Sequence, residues 1–191
     1  MRINQIFTDA DQSGVEQLLL ALKSNCCDFI NESRGQPVFK QLPTNYDLFQ
    51  KVKVRKHKRD DQFISRFNEA FQDEVRDLRQ RSVFASGEAP APTQEHNVYY
   101  IFPKNGYKYM YCTEVQHSTD DYKSVFESIF DNVEAPEDVI RDLLKFAYIR
   151  EDLFEGIQSK AELIFYNIPF YYAVRTDFYS YGDLLTDINE L

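Results

Sequence analysis

The sequence predicts an α+β protein whose helices and strands occupy separate stretches of the chain. Three observations lead to that class. Apolar residues recur at helical spacing from about residue 14 to 33, and again from Phe63 to Leu78. Several short segments alternate polar and apolar residues, as half-buried strands do. Asn105-Gly106 stands between two β-rich runs, which is the strongest short signal for a hairpin.

Length and composition favour a single globular domain spanning residues 1–191. The chain has 43% hydrophobic and 15% aromatic residues with only 6 Gly and 7 Pro, enough for a substantial core. The longest apolar cluster near the N-terminus, residues 18–22, is too short for a signal peptide or a membrane span. Cys26, Cys27 and Cys112 lack metal or redox spacing, so we predict packed thiols, a reducing cytoplasm and no metal site.

The charge is distributed unevenly along the chain. Residues 1–81 carry a net charge of +2, whereas residues 82–191 carry −11. The basic excess lies between Lys51 and Arg59, and Lys53, Arg55 and Arg59 within it are candidates for binding phosphate. The alternative is a solvated loop beside an acidic body. The acidic second half disfavours general coating of DNA but is compatible with one bound dinucleotide.

The predicted elements run in the order helix, strand, helix, several strands, two helices and then strands, which suits a segregated α+β fold. The first helix, from about 14 to 33, is expected to end before Gly35. A strand over 36–42 and the basic loop follow, and Asp60-Asp61 caps the second helix. The remaining predicted elements are a strand at 81–86, a loop at 87–97, strands within 98–112, a helix capped by 118–121, a helix beginning at Pro136, strands within 161–174 and a terminal helix at 181–191.

Several common catalytic motifs are absent from the sequence. It contains no Walker A pattern, no dinucleotide-binding glycine fingerprint, no His-Glu-x-x-His and no Gly-x-Ser-x-Gly. The three histidines, His57, His96 and His117, are too scattered to predict a zinc site. Composition and spacing alone therefore predict an α+β domain without an assigned chemistry.

A resemblance to a known family goes further. The stretch GQPVFKQL (35–42) resembles the Gly-Lys-Pro-Leu-Tyr-Arg-Gly first strand of ADP-ribosyltransferase-like proteins of tailed bacteriophages. The resemblance continues in RSVFASG (81–87), YYIFPKNGYKYMY (99–111) and AELIFYNIPFYYAV (161–174), and covers about residues 20 to 175. It implies the Arg-Ser-Glu type of fold, in which a split antiparallel β core with flanking helices clamps NAD.

The resemblance also implies roles for individual residues. Breaking the nicotinamide–ribose bond develops an oxocarbenium cation, which a carboxylate stabilises, and Glu162 stands at the matching position. Lys40 stands where the family has the arginine that grips an NAD phosphate. Ser86 matches the serine that orients the ribose or the catalytic acid, and Ser82 is the second candidate. The loop 87–97 corresponds to the family's nicotinamide-flanking loop.

The sequence departs from the family pattern in three places. Lys40-Gln41 replaces Arg-Gly, so bidentate recognition of phosphate is lost and lysine can act only as a point charge. Lys160, two residues before Glu162, stands where arginine-modifying members have an acid or an amide. Arginine is therefore in doubt as the group that is modified. A nucleic-acid base, another amino-acid side chain, or no acceptor at all remain open. Gly87 replaces the small hydroxyl residue after the strand serine.

Two functions from different classes follow from the resemblance. The first is a phage-encoded mono-ADP-ribosyltransferase that uses NAD as substrate and modifies a host bacterial protein or nucleic acid. The alternative is a catalytically degenerate member that binds a protein partner in host takeover, anti-defence or the virion. Either would act in the cytoplasm of the infected host or be packaged in the virion, without a membrane partner. The sequence leaves the oligomeric state open.

Overall fold

Seven strands form one hydrogen-bonded sheet in the computed structural model, which describes residues 9–54, 62–73, 75–113 and 137–191. The strands are β1 (Phe39–Pro43), β2 (Phe49–Lys53), β3 (Val83–Ser86), β4 (His96–Pro103), β5 (Lys108–Cys112), β6 (Glu162–Tyr166) and β7 (Phe170–Arg175). Their order across the sheet is β2-β7-β4-β1-β3-β6-β5, and every neighbouring pair is antiparallel. The predicted α+β class and its mainly antiparallel sheet are confirmed.

The junction between β1 and β3 is the weakest contact within the sheet. These two strands are joined by a single residue pair, Phe39 with Ser86. By contrast, β1 pairs with β4 over five residues and β3 pairs with β6 over four. The ends of three strands, β1, β3 and β6, therefore lie side by side where the backbone ladder is thinnest.

Six helices flank the sheet in the described part of the chain. They are α1 (Asp9–Asn25), α2 (Cys27–Glu32), α3 (Gln62–Ala70), α4 (Glu137–Ala147), α5 (Leu153–Gln158) and α6 (Tyr181–Glu190). A 3-10 helix, Leu78–Gln80, precedes β3. The predicted caps at Asp60-Asp61 and at 118–121, and Pro136, lie outside the described residues. No helix among the described residues is long and apolar enough to cross a membrane.

The first predicted helix, from about 14 to 33, is two helices that meet at Cys26. The hairpin turn between β4 and β5 accounts for the break, because the backbone N–H of Asn105 donates to the Asn25 carbonyl at 2.6 Å. The Asn105 side chain then accepts from the backbone N–H of Asp28 at 3.1 Å. The predicted Asn-Gly turn is thus confirmed, with Gly106 at a φ of 80°.

The second predicted helix, Phe63 to Leu78, ends early at Ala70. Asp77, with a φ of 58°, precedes the short 3-10 helix, and this left-handed conformation does not continue an α-helix. Phe67, Phe71 and Leu78 are nevertheless all fully buried in one cluster. The apolar pattern therefore predicts the buried positions correctly. The predicted extent of the helix is wrong.

Both faces of the sheet are covered where β6 runs through it. Leu163 and Phe165 belong to the larger apolar cluster, which includes residues of α1, α2 and α6. Ile164 and Tyr166 belong to the second cluster, with residues of α3 and α4. A strand buried on both sides needs a continuous apolar run rather than alternation. Glu162, at the start of that run, is therefore placed at the edge of the second cluster.

Candidate functional site

Ser86 and Glu162 are directly opposite each other on neighbouring strands. Ser86 is the last residue of β3 and Glu162 the first of β6, and the antiparallel register pairs them. Directly paired residues share a face, with Cβ atoms about 4.5–5.5 Å apart. The hydroxyl and the carboxylate predicted from the resemblance therefore occupy adjacent positions on one face of the sheet.

Lys40 reaches the same place from β1. Its Nζ donates to the main-chain carbonyl of Phe84, in β3, at 2.8 Å. Burial lowers the pKa of the Lys40 ammonium to about 8, and the nearby Glu162 carboxylate acts in the opposite direction. The structure thus brings together Lys40, Ser86 and Glu162, the three residues that the sequence segments single out.

The Glu162 carboxylate is largely withdrawn from solvent. Its side chain is 18% exposed. Burial raises the pKa of the Glu162 carboxyl above its usual value, whereas Arg79 and Lys40 act to lower it. A carboxylate with two cations nearby in a partly desolvated position interacts with them, and with any further charge, more strongly than it would in water.

Arg79 belongs to this group and is not among the predicted site residues. Its Nη1 lies 4.0 Å from Oε2 of Glu162, and its side chain is only 11% exposed. The guanidinium lies over the Phe84 ring, 4.7 Å from the centroid, and near the Phe67 ring, at 5.7 Å. Nothing in the local sequence distinguishes Arg79 from Arg76 or Arg81. Only the fold reveals it.

The segment after Ser86 is held by polar contacts. The Ser86 hydroxyl accepts from the backbone N–H of Glu88 at 3.0 Å and donates to the Lys160 carbonyl at 3.5 Å. The Lys160 ammonium lies 3.6 Å from a carboxylate oxygen of Glu88. Lys160 itself has a φ of 59°, a tight turn immediately before β6 begins.

Gly87 is required by close packing. A Cβ at this position would lie 2.0 Å from the carbonyl oxygen of Ile157, a backbone atom of α5. The departure from the family pattern at Gly87 therefore has a structural explanation, because even a serine would collide with that helix. The same close approach holds Ser86 beside the turn that precedes Glu162.

Ser82, the second serine candidate, is engaged elsewhere. It is buried and precedes β3 rather than belonging to it. Its hydroxyl donates to the carbonyl of Leu78, in the 3-10 helix. Ser82 therefore contacts the 3-10 helix that contains Arg79. Ser86 is the serine adjacent to Glu162.

The basic run does not join this group in the described part of the chain. Lys53 is exposed at the end of β2, the edge strand, and three strand spacings separate β2 from β1. At about 4.8 Å per spacing, that is roughly 14 Å across the sheet. Arg55 and Arg59 lie outside the described residues. Lys40, and not Lys53, is the lysine beside Glu162.

The arrangement is suited to a ligand that carries hydroxyl groups and develops positive charge. A hydroxyl and a carboxylate on adjacent strands can accept hydrogen bonds from such a ligand, and the carboxylate can stabilise a cation. Two nearby cations provide attraction for anionic groups. Among the residues that the structure describes, no three His, Cys, Asp or Glu side chains cluster as metal ligands would.

No protein-family model, curated protein or solved structure matches the chain. Function is therefore inferred from the site itself and from the sequence segments that meet there.

Proposed function

We propose that this protein is an ADP-ribosyltransferase of the Arg-Ser-Glu type, which transfers ADP-ribose from NAD to a host bacterial protein or nucleic acid. One observation supports this above all. Lys40, Ser86 and Glu162, which are far apart in the sequence, meet where β1, β3 and β6 adjoin. Each of them stands at the position that the resemblance implies.

In this proposal Glu162 is the catalytic carboxylate. Cleavage of the nicotinamide–ribose bond leaves positive charge on the ribose, and a preorganised carboxylate stabilises that charge most strongly where water is excluded. The small exposed fraction of the Glu162 side chain, 18%, fits such a place. Ser86, directly opposite in the ladder, orients the ribose or the acid.

Lys40 supplies the positive charge for an NAD phosphate. With a pKa of about 8, its amine is mostly protonated at neutral pH. It acts as a point charge and not as a fork, so phosphate recognition is weaker than an arginine would give. The thin junction between β1 and β3 is, in this proposal, the split of the β core at which NAD is bound.

The charges around the site bear on the acceptor. Lys160 stands where arginine-modifying members of the resembled family have an acid or an amide, and its ammonium pairs with Glu88 at 3.6 Å, so this position offers no hydrogen-bond acceptor for a cationic arginine side chain. A nucleic-acid base or an uncharged or acidic side chain is therefore the favoured acceptor. The protein acts in the cytoplasm of the infected bacterium, where both NAD and such acceptors are present.

A second function, partner binding without catalysis, is favoured by a different observation. An apolar patch on and just after α4 is exposed, and Phe146 within it has 90% of its surface accessible. The other members of this α4 patch are Val139, Leu143 and Ile149. Contiguous exposed apolar side chains mark protein interaction sites. A degenerate transferase could use this patch to bind a host or virion protein.

The two functions are separated by incubating the protein with NAD labelled on the adenine side and a bacterial lysate. We expect label to appear in protein or nucleic acid, and calorimetry to detect NAD binding. Lys40→Ala should weaken that binding about tenfold, the loss of one charge–phosphate contact, whereas the matched Lys53→Ala should leave it unchanged. If the parent neither transfers label nor binds NAD, the transferase proposal fails and partner binding remains.

A further inference from the structure

Arg79 is the part of the site that neither the sequence segments nor the resemblance assigns. Its guanidinium is buried beside Glu162, with Nη1 4.0 Å from Oε2. That distance exceeds a hydrogen bond but lies within the range where opposite charges affect each other's protonation. The contact joins the 3-10 helix before β3 to the first residue of β6.

The position of Arg79 is fixed from three directions. Its backbone N–H donates to the side-chain oxygen of Asn68, in α3, at 2.9 Å. The rings of Phe84 and Phe67 lie against its guanidinium, with centroids at 4.7 and 5.7 Å. A planar cation packed against rings loses few alternative conformations when it meets a carboxylate. The charge is thus already in place and does not have to be recruited from solvent.

Glu162 needs a fixed cation because it is itself largely buried. Removing an ionised carboxylate from water favours its neutral form, and nearby positive charge opposes that tendency. Among the residues that the structure describes, four titratable or charged groups face Glu162 or lie just beside it. They are Arg79 from the 3-10 helix, Lys40 from β1, Cys112 opposite it in β5, and the Lys160–Glu88 pair next to Ser86. The Lys40 ammonium donates to the Phe84 carbonyl at 2.8 Å, whereas the Arg79 guanidinium forms an ion pair with Glu162 at 4.0 Å.

We propose that Arg79 is a positioning residue that keeps the Glu162 carboxylate ionised and in place at neutral pH. Only the effect of the Arg79–Glu162 pair on catalysis rests on the proposed function. A neutral carboxyl would have no negative charge to offer a developing oxocarbenium ion. The pairing itself is a property of the folded chain and can be measured without any substrate.

The direct test is Arg79→Met, which fills the space between the rings without a charge. The Glu162 carboxyl is followed by ¹³C NMR in protein labelled at glutamate, and Glu162→Gln identifies its signal. Loss of the guanidinium leaves burial less opposed, so the titration midpoint should rise by about 1–3 pH units. Arg79→Lys keeps the charge and should move the midpoint by less than about 0.5 unit.

Arg81→Met is the matched control, because Arg81 is 57% exposed and paired with Asp77 at 3.7 Å. It should leave the Glu162 midpoint unchanged. An unchanged midpoint in Arg79→Met, or an equal rise in Arg81→Met, would overturn the proposal.

A second measurement needs no variant of Arg79. In the parent chain, the Nε–H resonance of Arg79 should shift with the same midpoint as the Glu162 carboxyl, and should stop shifting in Glu162→Gln. Two unrelated midpoints would contradict the pairing even if Arg79→Met failed to fold. If the protein cleaves NAD, the acid limb of the pH–rate profile should move upward in Arg79→Met by the same amount. If it does not, the NMR titrations still decide the role of Arg79.

Discussion

Glu162→Gln should reduce transfer of ADP-ribose by at least about 100-fold. Glutamine preserves the shape of the side chain and can still accept a hydrogen bond, but it removes the negative charge that, in the proposed function, stabilises the cationic transition state. In a site where the carboxylate is only 18% exposed, water cannot replace that charge. The measurement is the initial rate of label transfer from NAD at saturating substrate.

The control for this variant is Glu155→Gln. Glu155 is an exposed glutamate in the first turn of α5, and the same change there should leave the rate within about twofold. Thermal unfolding of both variants establishes that the folded state is kept. Transfer that survives Glu162→Gln would place the chemistry elsewhere in the protein.

Gly87→Ala should be among the most destabilising single substitutions in the chain. The added methyl group would lie 2.0 Å from the carbonyl oxygen of Ile157. The methyl carbon is attached directly to the backbone and the carbonyl oxygen is a backbone atom, so neither can rotate away. We expect a loss of about 3 kcal/mol or more in the free energy of unfolding. Displacing this segment also moves Ser86 relative to Glu162, so NAD binding should weaken in whatever fraction remains folded.

Gly182→Ala makes the same chemical change without the collision. Gly182 lies in α6, and apart from the adjoining residues and the backbone of its own helix no atom lies within 4 Å of where its Cβ would be. Alanine is the better helix former, so this variant should be more stable than the parent by about 0.5–1 kcal/mol. Urea unfolding followed by circular dichroism measures both. Equal stability of Gly87→Ala and the parent would contradict the close approach of α5 to β3.

The sequence predicts those features of the fold that depend on local pattern. The Asn105-Gly106 turn and the continuous apolar run of β6 are of this kind. A turn type requires particular residues at fixed positions, and a strand buried on both faces requires consecutive apolar residues. The break between α1 and α2 at Cys26 has no such local signal in the sequence. It depends on a hydrogen bond from Asn105, about 80 residues later, which no local pattern records. The strand β2 is missed because its Lys51 and Lys53 read as the start of a basic loop.

The site could be predicted only in part for the same reason. The resemblance of short segments to a family identifies Lys40, Ser86 and Glu162, and the order of the strands in the sheet brings them together. Arg79 and the need for glycine at position 87 arise from contacts between distant elements, the 3-10 helix with β6 and the end of α5 with β3. Ser86 is the better match to the family's serine, and Ser82 is the second candidate because it lies on the same face of the alternating segment. The hydrogen bond from Ser82 to the Leu78 carbonyl separates them.

The central claim is that NAD binds where β1, β3 and β6 adjoin, and ¹H–¹⁵N NMR of the parent chain during a titration with NAD tests it most directly. We predict saturable shifts of the backbone amides of Lys40, Ser86 and Glu162 with a common dissociation constant, while those of Lys53 and Phe146 stay in place. An absence of shifts at saturating NAD, or shifts confined to the α4 patch or to the edge strand β2, would contradict the account.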